Sequence, residues 1–196
     1  QEQKSQLIQK INSLLEKTRH VITINQPQLL LDLEPQKPQA IFSSIFLQQN
    51  QLLILEETNS TSAYIYNIDQ NTTQTINLPA ENFQAGKKLD DRMLLAFGRQ
   101  FYSFDIKSSQ FNQISLDHSG QKIEDIDFYN NRLYILDPVE NQIIRLSPTG
   151  GGYGQPFDWV RQSLDLSRAK ALAVDGTVYV LNQGRQILRM SGGQID

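Results

Sequence analysis

The sequence contains no cysteine, only two histidines and no long apolar run. Without thiolates the chain can form neither a disulfide nor a cysteine-based metal site. Two histidines are too few for a typical transition-metal site, so we expect no metal and no organic cofactor. No segment approaches the roughly 20 apolar residues of a transmembrane helix. We therefore expect no membrane insertion within this chain.

Positive charge is also scarce. Lysine and arginine total 18 against 21 for aspartate and glutamate, which leaves a net charge of −3. This balance creates no basic field that would gather phosphates, so nucleic acid is an unfavourable partner. The 196 residues, 39% of them hydrophobic, are enough for one folded unit with a substantial core.

Residues 1–26 are predicted to form a helix and a linker. Apolar residues recur at spacings of three and four, which is typical of an amphipathic helix: Leu7, Ile8, Ile11, Leu14, Leu15 and Ile22. Barely two heptads are present, so we favour a helix packed on its own domain over the end of a coiled-coil stalk. Prolines then bracket residues 28–33, which predicts one isolated strand.

After Pro38 the sequence repeats with a period of about forty residues. A polar turn precedes an apolar strand four times, at Asn50, Asn131, Asp91 and Asp175. Another short apolar strand precedes each turn, and a third, strictly alternating strand comes after the apolar strand that follows the turn. Four antiparallel strands at this period form the blade of a β-propeller. The predicted fold is therefore all-β.

The predicted propeller spans residues 27–196 and has four visible blades behind an N-terminal amphipathic helix. The predicted blades are residues 39–79, 82–117, 121–160 and 164–196. The fourth repeat lacks an outer strand in this interpretation, and we expect residues 28–33 to supply it and close the ring. The alternative is an open ring that forms a homodimer through its ends.

The ends of the chain also suggest an incomplete propeller. The sequence begins at Gln1 without an initiator methionine and stops just after Gly192 and Gly193, where another strand is expected. We therefore expect a fragment of a larger propeller or a processed chain.

The central strands of two repeats are apolar without interruption, at Leu133–Leu136 and Val178–Leu181. Blades stack face to face, so a strand in the middle of a blade has neighbours on both sides. We predict that both segments are buried on both faces.

Several motifs resemble those of a propeller in uncharacterised bacterial proteins: Asn131–Asp137, Asn141–Arg145, Gly154–Trp159 and Leu164–Ser167. In that family a cytoplasmic metal-dependent serine/threonine phosphatase-like domain, a membrane helix and a helical stalk precede an extracytoplasmic propeller with more than four blades. The resemblance covers roughly Pro27–Gly193 and includes no catalytic residues. It implies a sensor or adhesion-like module that is extracytoplasmic or exposed at the cell surface.

A non-catalytic binding or scaffold domain is the function that the repeats favour. Loops on a rigid propeller are common recognition sites, so a protein, peptide or glycan partner is expected. A structural assembly domain tethered by the helix is the second interpretation. A propeller hydrolase or lyase is the third, because such sites use several His, Asp and Glu ligands. Nothing suggests that His20 and His118 converge with carboxylates, and we predict no catalytic residues.

Four residues are candidate ligand-facing positions: Tyr153, Trp159, Asp125 and Asp127. Tyr153 follows a glycine run in a predicted hairpin and is expected over a blade edge or in a surface patch. For Trp159 we favour packing over recognition. Asp125 and Asp127 alternate along one strand and would place two carboxylates on one face, as a calcium site needs. We favour hydrogen-bonded or solvated ends of an inner strand.

Overall fold

The computed structural model describes residues 2–19, 26–56, 60–116, 120–150 and 152–196. Contacts divide the chain into two units, Gln1–Ala40 and Ile41–Asp196. The first unit contains helix α1 (Glu2–Arg19), and its residues 26–40 contain turns but no strand. Within the described ranges, no helix combines the length and the apolar character that crossing a membrane requires.

Helix α1 has the predicted amphipathic pattern, but its apolar stripe is exposed. The exposed members are Leu7, Ile8, Ile11, Leu14 and Leu15. The packing of this helix on its own domain stays a prediction. Ile22 and His20 lie outside the described part of the chain.

The second unit contains four antiparallel four-stranded sheets, which confirms the predicted all-β propeller fold. Blade 1 contains β1 (Phe42–Gln48), β2 (Gln51–Glu56), β3 (Ser62–Asn67) and β4 (Thr72–Asn77). Blade 2 contains β5 (Phe83–Lys88), β6 (Met93–Phe97), β7 (Gln100–Asp105) and β8 (Gln110–Ile114). Blade 3 contains β9 (Asp125–Tyr129), β10 (Arg132–Asp137), β11 (Gln142–Leu146) and β14 (Phe157–Asp158). Blade 4 contains β15 (Ala169–Val174), β16 (Val178–Asn182), β17 (Gln186–Ser191) and β18 (Gln194–Ile195).

A separate two-stranded ribbon interrupts blade 3 between β11 and β14. It consists of β12 (Pro148–Thr149) and β13 (Gly152–Tyr153), which pair antiparallel. The sequence predicted a glycine-rich hairpin here, and the described residues form one. Gly151, in the turn, lies outside the described residues.

The polar residues between the first two strands of blade 3 adopt the backbone that a tight hairpin needs. Asn130 and Asn131, between β9 and β10, have φ angles of 49° and 61°. Two consecutive positive φ angles are the signature of a type I′ turn, which matches the twist of the strands on either side. Asparagine tolerates this conformation better than most residues. This turn fixes the register of β9 against β10, in which Tyr129 pairs with Arg132.

The first strand of each blade lies beside the first strand of the next. β1 contacts β5, β5 contacts β9, and β9 contacts β15. No comparable contact joins β15 to β1 among the described strands. We call the side of a blade that packs on the next blade along the chain its forward face, and the opposite side its backward face.

Among the described residues, three hydrophobic cores lie between successive blades, and the second strands of blades 2 and 3 each contribute to two of them. In β6, Met93 and Leu95 face blade 1, whereas Leu94 and Ala96 face blade 3. This alternation follows from the two-residue period of a strand. A fully buried leucine or isoleucine stabilises the fold by about 1.5–3 kcal/mol, so stacking of the blades supplies most of the stability.

Two apolar segments were predicted to be buried on both faces. The prediction is confirmed for the segment in β10 and is wrong for the segment in β16. All four residues of Leu133–Leu136 in β10 are buried. In β16, Val178 and Val180 are buried against blade 3, but Tyr179 and Leu181 are only half-buried. The prediction for β16 is wrong at Tyr179 and Leu181, because no other described blade packs on the side of β16 that they occupy.

The predicted closure by residues 28–33 is also wrong. These residues form no strand, and the outer position of blade 4 is filled by β18, which pairs with β17. Gly192 and Gly193 have φ angles of 58° and 89°, which lets the chain reverse immediately after β17. A strand of only two residues carries too weak a pattern to be detected in the sequence.

Candidate functional site

A groove of about 960 Å³ lies between blades 2 and 3. We call it the blade 2–3 groove. Residues 88–92, 113–115, 148–149 and 152–153 line it, together with Phe128 and Asn131. The segments are the β5–β6 hairpin, the end of β8 and the β12–β13 ribbon.

Backbone hydrogen bonds hold the two hairpins on either side of the groove. Leu89 N donates to Arg92 O at 2.8 Å, which closes the β5–β6 turn. Gly154 N donates to Ser147 O at 2.9 Å, which closes the base of the ribbon. Gly152 has a φ of 146°, a conformation that favours glycine. The walls are therefore set by main-chain geometry rather than by side chains.

Tyr153 lies in the wall of the groove and is half-buried. Its ring centroid is 6.5 Å from that of Phe128, so two aromatic rings form an apolar part of the surface. Burial raises the pKa of the Tyr153 hydroxyl, and the positive charge of Arg92 opposes this only in part. The hydroxyl is thus neutral at physiological pH and can donate a hydrogen bond.

Four charged residues of the β5–β6 hairpin form the lip of the groove, and all four are exposed: Lys88, Asp90, Asp91 and Arg92. Arg92 Nε is 3.9 Å from Asp91 Oδ1, which is too long for a hydrogen bond. An exposed pair of this kind contributes little to stability. These charges can therefore interact with a bound molecule of mixed charge.

Asp125 and Asp127 are not in this groove but on β9, where they join blade 3 to blade 4. Asp125 Oδ2 accepts from Leu172 N at 2.7 Å, and Asp127 Oδ2 accepts from Val174 N at 2.8 Å. Asp127 Oδ1 also forms an ion pair with Lys87 Nζ of blade 2 at 2.8 Å. The two carboxylates thus connect the inner strands of three blades.

These contacts favour the hydrogen-bonded interpretation of Asp125 and Asp127 over the calcium site. Their oxygens already accept backbone N–H groups, and such donors are absent from a calcium coordination sphere. No group of three or more His, Cys, Asp or Glu side chains that could hold a metal is present in the described ranges.

Burial dominates the electrostatics of Asp125. Desolvation raises the pKa of its carboxyl, the hydrogen bonds from Leu172 and Ile126 oppose the increase, and the negative charge of Asp127 adds to it. The neighbouring Glu124 behaves differently. Partial burial works against its charge, but hydrogen bonds from Lys122 and Lys170 outweigh that effect and lower its pKa.

The raised pKa of Asp125 predicts a specific pH dependence. Because the folded protein binds this proton more readily than the unfolded chain, the contribution of Asp125 to stability falls as the pH rises through its pKa. We therefore expect the difference in unfolding free energy, wild type minus Asp125→Asn, to be larger at about pH 3.5 than at about pH 7. Urea denaturation of both proteins at the two pH values measures it. A difference that is constant or that increases with pH would contradict the prediction.

Trp159 is buried in the core between blades 3 and 4. Its ring centroid lies 6.4 Å from that of Tyr134, in an edge-on arrangement. It is a packing residue, and a ligand-facing role for it is wrong because its ring is covered by blade 4. Of the four candidate residues, only Tyr153 lines the groove, and the structure does not bring the four together.

Sequence reasoning missed the charged lip and Phe128. Asp91 and Arg92 served in the sequence only as a turn signal, although the charge density of residues 87–92 was visible. Phe128 could not be found, because nothing in its strand distinguishes it from a core residue. His118, like His20, lies outside the described residues.

No protein-family profile matches the chain. No curated protein is similar to it at a significant level. Solved structures do resemble it. The computationally designed protein Ika8 aligns with a TM-score of 0.57 and 13% identity over 79% of this chain and 47% of its own. The designed protein Ika4 aligns with a TM-score of 0.60 and 14% identity over 85% of this chain and 99% of its own.

A chain of the nidogen–laminin complex aligns with a TM-score of 0.62 and 9% identity, over 85% of this chain and 64% of its own. This chain therefore spans about half of Ika8 and less than two thirds of the chain from that complex. At such low identities, the likeness shows the propeller fold and nothing more.

Proposed function

We propose that this propeller is a non-catalytic binding module that holds a peptide segment of a partner protein in the blade 2–3 groove. The shape and the lining of the groove are the observations that support this proposal. It combines a concave surface of about 960 Å³ with an aromatic wall and a charged lip on a rigid scaffold. Ligand sites in proteins typically pair an apolar surface with a few polar groups in this way.

The chemistry of the groove fits a peptide better than a glycan. Its lip presents two cations and two carboxylates, which match a partner that carries both signs of charge. Tyr153 and Phe128 offer the rigid aromatic surface that is enriched at protein interfaces. Loops held by a rigid sheet are also where recognition concentrates. The described residues of the wall include no histidine or cysteine that would serve as a nucleophile or base.

Selection of random peptides displayed on phage tests the proposal. We expect peptides selected on the wild-type protein to bind Tyr153→Ala at least about tenfold more weakly, a loss of about 1.4 kcal/mol. Tyr179→Ala is the matched control, because that tyrosine lies on blade 4 away from the groove, and its affinities should be unchanged. Peptides that bind Tyr153→Ala as well as wild type, or a selection that yields no specific binder, would contradict the proposal.

The resemblance to the bacterial phosphatase-linked family extends the proposal to location. A groove of this kind on a propeller outside the cytoplasm would act as the sensing module of a surface protein. Labelling of intact expressing cells with a membrane-impermeant amine reagent tests this, since exposed lysines such as Lys88 would react. Labelling only after lysis would contradict it.

A further inference from the structure

The outer strand of blade 2 borders the blade 2–3 groove with an unpaired edge. The strands of this blade are ordered β5, β6, β7 and β8, so β8 pairs with β7 on one side, and no described strand pairs with its other side. Residues 113–115, at the end of β8 and just beyond it, line the groove. An edge strand turns the N–H and C=O groups of alternate residues away from its sheet. The groove therefore offers main-chain hydrogen-bonding groups to a bound molecule.

Nothing in the sequence of β8 protects this edge against another strand. Proteins commonly protect an edge with lysine, proline or a β-bulge. The five residues of β8 are Gln, Phe, Asn, Gln and Ile, so they include neither a charge nor a proline. The strand also pairs with β7 without a shift of register. Its edge is thus regular and uncharged, which permits pairing with an extended chain.

The apolar part of the groove is the incompletely covered margin of the core between blades 2 and 3. Four half-buried residues of the lining pack against this core: Leu89, Ile114, Phe128 and Tyr153. Ile114 is therefore on the forward face of blade 2. Phe111, three positions earlier in β8, packs against the core between blades 1 and 2, as the two-residue period of a strand requires. A strand added beside β8 would place every second side chain on the forward face, next to these apolar residues.

The β12–β13 ribbon limits the length of β8 that is accessible. A Cβ placed on Gly152 would lie 3.7 Å from the Ser115 carbonyl oxygen, so β13 reaches the main chain just after β8. Neighbouring strands in a sheet lie about 4.8 Å apart. The place beside Ser115 is therefore occupied by the ribbon, and an added strand would pair with β8 itself, Gln110–Ile114.

We propose that the partner segment binds as an additional β-strand on the edge of β8 and places alternate apolar side chains against Leu89, Phe128 and Tyr153. This inference rests on the proposed binding of a peptide in the blade 2–3 groove, and it specifies the conformation and the chemistry of that peptide. The main chain of the peptide supplies hydrogen bonds, and its alternate side chains supply selectivity. The ligand is thus an extended segment in which apolar and polar residues alternate, without proline in the paired stretch.

Methylation of single backbone nitrogens in the tightest phage-selected peptide tests the proposal, since each methyl group removes one N–H donor. Binding is measured by isothermal titration calorimetry. We expect binding to weaken about tenfold or more when the methylated residue faces β8, and to change little at the residues between, whose N–H groups face away. The sensitive positions should therefore alternate along the peptide.

Amide hydrogen exchange, followed by NMR, provides the second measurement. On addition of the same peptide, we expect slower exchange at alternate amides of β8. The amides of β4 are the matched control, because β4 is the outer strand of blade 1 and its residues are not part of the described groove lining. Their exchange should be unchanged.

The outcomes separate this inference from the proposed function. A peptide that needs Tyr153 but shows no alternation in the methylation series would overturn strand addition and leave peptide binding in the groove intact. Equal protection of β4 and β8 would also overturn it, because pairing would then not depend on the groove. A selection without any specific binder would contradict the proposed function and this inference together.

Discussion

Asp137→Ala should lower the free energy of unfolding by about 3 kcal/mol or more. The Asp137 carboxylate is fully buried and accepts four backbone hydrogen bonds. Oδ1 accepts from Val139 and Glu140, and Oδ2 accepts from Gln121 and Lys122. The substitution leaves these N–H groups without a partner, and it frees both the β10–β11 turn and the segment that enters blade 3. Urea denaturation measures the loss.

Two further variants show whether the lost acceptors are the cause. Asp137→Asn keeps the shape but presents an NH₂ group to two N–H donors, so we expect a loss close to that of Asp137→Ala. Asp105→Ala removes a carboxylate of a half-buried residue that accepts from Lys107 N and Ser108 Oγ, and its effect should be much smaller. A mild effect of both Asp137 variants would mean that water replaces the carboxylate at this site.

Ile135→Ala should cost about 2–5 kcal/mol of folding free energy. Ile135 is at the centre of β10, is fully buried and packs in the core between blades 2 and 3. Loss of three carbon atoms leaves a cavity between two stacked sheets, which cannot close without shifting a whole blade. Urea denaturation measures the effect: the midpoint should shift, while the dependence of the unfolding free energy on urea concentration should stay unchanged.

Ile45→Ala is the matched control for this truncation. Ile45 is in β1 and is 62% exposed, so the same change of side chain should alter the unfolding free energy by no more than about 0.5 kcal/mol. Equal effects of the two substitutions would mean that the register of β10 in blade 3 is not the one described here.

The repeat made the fold predictable, because its signals are local. The Asn130–Asn131 turn requires a backbone that asparagine tolerates, an apolar strand follows each polar turn, and the third strand of each blade alternates. These features depend on residues within a few positions of each other. They also recur four times, so a weak signal in one blade is supported by the other three.

The outer strand of blade 4 could not be predicted from local sequence patterns. Gln194–Ile195 has only two residues and lacks a pattern of its own, whereas residues 28–33 are more apolar and looked like the better strand. What decided between them was the geometry of Gly192 and Gly193, which turns the chain back beside β17. A turn of this kind can be recognised in a sequence, but whether a strand follows it depends on the edge that is available.

The candidate site was only partly predictable for a related reason. Tyr153 was identified from its position after a glycine run, but its neighbours in the groove are about 25 to 65 positions earlier in the chain. Stacking of blades 2 and 3 brings these segments together, and no local pattern encodes that contact. Trp159 was correctly favoured as a packing residue, because a large aromatic side chain gains more by burial than by exposure.

By itself, the sequence determined the architecture of this protein: four antiparallel blades, their turns and the absence of thiolate chemistry. These properties depend on backbone preferences and on the two-residue period of a strand, which act over short distances. The tertiary structure decided which side chains meet. It placed Asp125 and Asp127 between blades instead of around a ligand, and it formed the groove beside Tyr153. These outcomes depend on which faces of the blades find a neighbour, and that is a property of the whole array.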